Sequence, residues 1–89
     1  MITKFSETVI YQVWDKGIQV PNNNPALWRK DICGAWMKWS DYGNRDSKYG
    51  WEIDHIIPNG GDDLSNLRPL QWENNCSRQD GPLICKIRG

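Results

Sequence analysis

Apolar residues at positions 9, 10, 13 and 14 fall on one face of the stretch that Ser6 opens and Gly17 closes. A helix is predicted there, with Ser6 as its N-cap, Gly17 as its C-terminal stop, and Val9, Val13 and Trp14 in the core. Pro21-Asn22-Asn23-Asn24-Pro25 breaks the pattern and predicts a loop, because Pro lacks the amide donor and Asn favours turns. A short helix is then expected to start near Pro25 and carry Arg29 and Lys30. Gly34 to Ser40 contains the partly alternating Trp36-Met37-Lys38-Trp39 and reads as a strand or extended segment, followed by a polar loop from Asp41 to Gly50.

In the second half the period changes to two. Trp51-Glu52-Ile53-Asp54-His55-Ile56 alternates as a strand, Pro58 to Asp63 reads as a turn, and Leu67 to Trp72 returns as a second strand interrupted by Pro69. Glu73 to Gln79 is predicted as a helix facing this hairpin. The fold class expected is therefore α+β, with an N-terminal helical extension. Neither an internal repeat nor a low-complexity tract is visible.

Composition narrows this reading. The chain of 89 residues suits one domain, which at that size buries only about 60% or slightly more of its unfolded surface. Hydrophobic residues make up 38% and charged residues 25%, with six Trp, so an aromatic-rich core is available and disorder is disfavoured. No stretch approaches the roughly 20 apolar residues of a membrane span, and the first residues lack the apolar run of a signal peptide. A cytoplasmic protein, monomeric or homodimeric, is expected. Cys33, Cys76 and Cys85 are odd in number and form no C-x-x-C pair, which predicts reduced thiols rather than a disulfide framework or a zinc ribbon.

Eleven basic residues balance eleven acidic ones, so no global field draws the chain to nucleic acid. Local patches remain open, because Arg29, Lys30, Lys38, Arg45 and Lys48 all precede Glu52. The candidate chemistry centres on His55, the single histidine, which follows Asp54 directly. An imidazole with an ordinary pKa of about 6.5 can take a proton from water near neutral pH. A hard cation such as Mg²⁺ needs oxygen ligands and keeps several waters, so one carboxylate and one amide carbonyl suffice from the protein. Neighbours on a regular strand point to opposite faces, so convergence of Asp54 and His55 requires the strand to end or twist there, and Ile57-Pro58 suits such an ending. Glu52 shares the Asp54 face and is placed either to support that acid or to pair with an arginine.

The segment Gly50 to Asp80, GWEIDHIIPNGGDDLSNLRPLQWENNCSRQD, resembles the HNH endonuclease family of small bacterial or phage type. Upstream, Leu27 to Asp31, Gly34-Ala35-Trp36 and Tyr42-Gly43-Asn44 look like the N-terminal extension of a bacterial branch of that family. The resemblance implies a ββα-metal (His-Me finger) core over residues 51–80, an extension over 1–50 and a tail over 81–89. It implies a DNA endonuclease using one divalent ion, Mg²⁺ or alternatively Mn²⁺. His55 would be the general base, Asn66 the residue that positions it by hydrogen bonding, and Asp54 and Asn75 the metal ligands. Arg78 stands where the family often has Lys and is expected at the scissile phosphate; Arg45, Arg29 and Lys30 are further candidate DNA contacts. The chain departs from the family in a shorter loop between His55 and Asn66 and in lacking the zinc-binding Cys pairs that brace many such modules. The competing expectation is a catalytically weakened HNH-fold module that binds DNA or another partner without cutting.

Overall fold

The structure is a computed structural model that describes residues 5–89. Its elements are α1 (Glu7–Trp14), β1 (Trp28–Lys30), β2 (Trp36–Lys38), β3 (Trp51–His55), β4 (Leu67–Gln71) and α2 (Trp72–Arg78), with single-turn 3-10 helices at Trp39–Asp41 and Leu64–Asn66. The strands form two antiparallel pairs, β1 with β2 and β3 with β4, so the architecture is α+β. Among the described residues no helix is long and apolar enough to cross a membrane.

The helix α1 forms where its caps and apolar face require it. Ser6 Oγ accepts from the Val9 amide at 3.2 Å, and the Gly17 amide returns to the Trp14 carbonyl at 2.8 Å. Its apolar face buries Val13 and Trp14 in a cluster with Met37, Trp51 and Leu67, while Val9 packs partly buried against it. The Trp14 ring lies 5.0 Å from that of Trp51 and 5.7 Å from that of Trp39, and its indole N–H is satisfied by the Pro25 carbonyl at 2.9 Å.

The helix expected near Pro25 does not form. The Asn24 carbonyl closes a turn by accepting from Leu27 and Trp28 amides, and the chain then extends as β1. In the β1–β2 register Trp28 faces Lys38 and Lys30 faces Trp36, so Trp28 and Trp36 meet diagonally with ring centroids 6.0 Å apart. Such cross-strand aromatic packing is worth up to about 1 kcal/mol and overrides a weak local preference for helix.

In the second hairpin β3 and β4 pair from Trp51↔Gln71 to His55↔Leu67. Pro69 does not interrupt β4: it sits opposite Ile53 in a sheet of only two strands, where its missing N–H costs little. Nor does β3 end before His55, since the ladder runs through it and the Ile56 amide still donates to the Asn66 carbonyl. Alternation therefore holds. Trp51, Ile53 and His55 face the side of α1 and Phe5, whereas Glu52 and Asp54 face α2. Gly50 lets the entry to β3 pass tightly under the preceding loop, because a Cβ there would meet the Asn44 carbonyl oxygen at 1.8 Å.

Two features lock the halves together. The buried Asp31 carboxylate accepts from the amides of Cys33 and Ala35 on one oxygen and from the Gln71 amide and Asn74 side chain on the other. Cys33 and Cys85 form a disulfide, which corrects the expectation of three reduced thiols; only Cys76 is free. An odd count excludes a fully paired framework, not a single long-range bond. Closing a loop of 52 residues stabilises by about 4 kcal/mol on the chain-entropy account, and such bonds belong to oxidising surroundings, which weighs against the cytoplasmic expectation.

Alkylation of the folded, unreduced protein is expected to label Cys76 alone, and mass spectrometry after reduction to show three labelled cysteines. A second expectation concerns Asp31→Asn, which replaces an acceptor oxygen by a donor facing buried N–H groups. It should lower unfolding stability by about 3 kcal/mol, measured from the urea midpoint.

Candidate functional site

The residues singled out by sequence gather where the β3–β4 hairpin meets α2, but in three separate groups. Asp54, buried, accepts from Arg68 Nε at 2.8 Å and from Arg78 Nη1 at 2.9 and 2.7 Å. Glu52 accepts a two-pronged contact from Arg45 at 2.7 and 2.9 Å and a hydrogen bond from Asn75 Nδ2 at 2.9 Å. His55, on the other face of β3, meets Asp62 through Nε2 at 2.6 Å and the Phe5 ring at 6.1 Å. Among the described residues no side-chain to side-chain hydrogen bond joins these groups; Arg78 links the first to the third through the His55 backbone carbonyl at 2.7 Å.

Asn66 holds the loop that follows His55. Its side-chain oxygen accepts from the Ile57 amide at 2.9 Å, and its amide donates to the carbonyls of Ile57 at 3.0 Å and Gly61 at 2.9 Å. Gly61 takes φ +85°, a conformation that side chains rarely tolerate, and this brings the loop round so that Asp62 reaches His55. The resemblance implied a hydrogen bond from Asn66 to His55; among the described residues the Asn66 side chain makes none to His55 itself, and it closes the loop that leads to Asp62.

The electrostatics differ between the groups. Burial pushes the Glu52 carboxyl up, but the hydrogen bonds from Arg45 and Asn75 and the charge of Arg45 outweigh it and hold Glu52 below its ordinary value. The same pairing keeps the Arg45 guanidinium above its ordinary value. Glu52 therefore takes the arginine-partner role among the two that its position on the strand allowed.

Two of the four candidate DNA contacts are corrected by burial. Arg78 is 8% exposed and spends its donors on Asp54 and on the carbonyls of His55, Ile56 and Gly81. Arg29 is 7% exposed and holds the carbonyls of Asp15, Gly17 and Pro25 together. Neither guanidinium is free to reach a phosphate. Arg45 has an exposed side chain (54%), although Glu52 holds it and it lies over the Trp72 ring. Lys30 lies 4.8 Å over the Trp36 ring at the surface of the first hairpin.

The donors fit a hard cation in kind. Among the described residues, Asn75 Oδ1 takes no hydrogen bond while Nδ2 is anchored on Glu52, and Asp54 Oδ1 accepts from Arg78 alone. The two guanidiniums on Asp54 oppose a further positive charge, so affinity at this pair should be weak. Among the described residues no three His, Cys, Asp or Glu side chains cluster as a metal site. The residues that sequence reasoning missed are Asp62, the partner of His55, and Arg68, the second partner of Asp54. Arg68 was readable in retrospect from the antiparallel register, which sets it directly opposite Asp54.

No protein family, curated protein or solved structure matches the chain.

Arg78→Ala should cost about 3 kcal/mol in urea unfolding, because it strips a buried carboxylate of its main partner. Arg45→Ala should cost less than about 1 kcal/mol and, where DNA is bound, lower the salt slope by about one phosphate contact.

Proposed function

We propose that the β3–β4–α2 unit is the cleavage site of an endonuclease of the HNH (ββα-metal) type acting on DNA. The observation that carries this reading is the exposed pair at the end of β3, His55 with Asp62 at 2.6 Å, next in sequence to the acid Asp54. With Nε2–H donating to Asp62, the imidazole is held in one orientation and one tautomer, and its lone pair lies on Nδ1. That nitrogen takes the proton from an attacking water, while Asn66 keeps the 57–61 loop closed behind it. His55 has 31% of its side chain exposed, enough for solvent and a phosphodiester to approach.

Asp54 and Asn75 would hold a divalent ion, Mg²⁺ or Mn²⁺, from the α2 face of the same strand. When bound, the ion supplies Lewis-acid stabilisation of the charge that develops on phosphate and leaving oxygen. Asp54 and His55, on the two faces of β3, would meet one phosphodiester at the strand's end, where Asp54 would have to exchange an arginine partner for the ion.

A second reading is favoured by the two guanidiniums on Asp54: the module binds DNA and does not cut it. Plasmid nicking with Mg²⁺, with Mn²⁺ and with chelator separates the two. Cleavage that needs metal and falls at least about 100-fold in His55→Ala, with an unchanged circular dichroism spectrum, is the expected result. Absence of wild-type cleavage in either metal would leave the binding module.

A further inference from the structure

Away from His55, the first hairpin carries an aromatic corner that the cleavage site does not use. Trp28 stands at 86° to Trp36, centroids 6.0 Å apart, and at 86° to Tyr49, centroids 5.1 Å apart. With Asn23 these rings line a cleft of about 190 Å³. A second cleft of about 250 Å³ shares Trp36 and Tyr49 and reaches Lys48, Ile87 and Glu73, whose carboxylate is paired with Lys86 at 3.9 Å. Both are smaller than the roughly 300–1,000 Å³ of drug-sized pockets, and suit a single flat ring with a tail leading along the surface.

Each ring also has an ammonium over it. Lys30 lies 4.8 Å from Trp36, Lys38 5.7 Å from Trp28 and Lys48 5.3 Å from Tyr49. These three cations exclude a cationic occupant such as a methylated lysine, for which an aromatic cage would otherwise be suited. They match a ligand in which flat rings alternate with negative charges. Lys30 and Lys38 come from the two strands of one hairpin and Lys48 from the loop before β3, so the positive charge follows the clefts along the surface.

We infer that the Trp28–Trp36–Tyr49 corner binds single-stranded nucleic acid, stacking an unpaired base against its rings while Lys30, Lys38 and Lys48 hold the adjoining phosphates. Base stacking on aromatic rings and phosphate tracking by lysines are the two components of single-strand binding. The inference rests on the nucleic-acid part of the reading above and not on cleavage. It also specifies the form of that substrate: an unpaired strand, or a duplex opened beside the cut.

Fluorescence anisotropy with the full chain in chelator tests it. The probes are a labelled oligo-dT strand of about eight nucleotides, an abasic strand of the same length and the matching duplex. Wild type should bind oligo-dT about 5- to 100-fold tighter than the abasic strand, as expected for one stacked base. Trp36→Leu should remove that difference and Trp36→Tyr keep it, which separates loss of a stacking ring from loss of fold. Lys48→Gln should lower the salt slope by about 0.7 for both strands. Because binding is read in chelator, failure of this inference and failure of the endonuclease reading are distinguishable. Equal affinity of the wild type for oligo-dT and the abasic strand, tighter binding of the duplex, or displacement by free dTMP at the concentration that works for the strand would each overturn the inference.

Discussion

The carboxylate of Asp31 holds the two halves of this chain in register. It is buried and, among the described residues, has no counter-cation; four N–H donors satisfy it instead, two from its own turn and two from the junction of β4 and α2. A buried carboxylate is costly unless its lone pairs are met, so the hairpin turn after β1 and the first turn of α2 can sit in only one relation. Asn74 extends the constraint by exchanging hydrogen bonds with both backbone groups of Ile87, and the Cys33–Cys85 bond ties the same tail to the same turn. One acid, one amide and one disulfide thus brace the junction of the two halves.

From that fixed point the placement of the candidate site follows. With α2 held, Asn75 reaches Glu52 and Arg78 reaches Asp54, so the even positions of β3 become a polar face. The odd positions go to the tryptophan core, and His55 is the last of them, half out of the core beside Phe5. One strand therefore separates an aromatic layer from a layer of ion pairs, and the His55 imidazole and the Asp54 carboxylate stand on different sides of it.

Much of this was legible in sequence where the signal was local. Ser6 opened α1 as expected, though the helix ends at Trp14 with Asp15 as its C-cap, short of Gly17; alternation from Trp51 placed β3 and its returning partner to within a residue or so. The failures were non-local. Arg29 and Lys30 form a strand because Trp28 packs diagonally on Trp36, a partner that no window around Pro25 contains. Cys33 and Cys85 are 52 residues apart, and Asp31 meets Gln71 and Asn74 forty or more residues on. For the site, residue types alone could not tell that Arg78 turns inward to Asp54, since a lysine-like phosphate contact and a buried ion pair use the same side chain.

Zero net charge acquires a different meaning once the pairs are assigned. Arg29 and Arg78 are buried on carbonyls and acids, Arg68 is committed to Asp54, and Arg45 to Glu52. The arginines thus act mainly as internal fasteners, as their forked, weakly hydrated donors allow. Lys30, Lys38 and Lys48 are not in these pairs; they lie over aromatic rings at the surface, where stems cover the rings and ammonium groups remain near water. A neutral total therefore conceals a division of labour between the two kinds of cation. Among the described residues, these three lysines gather at the aromatic corner, two on the first hairpin and Lys48 in the loop before β3, and not at the end of β3 where His55 stands.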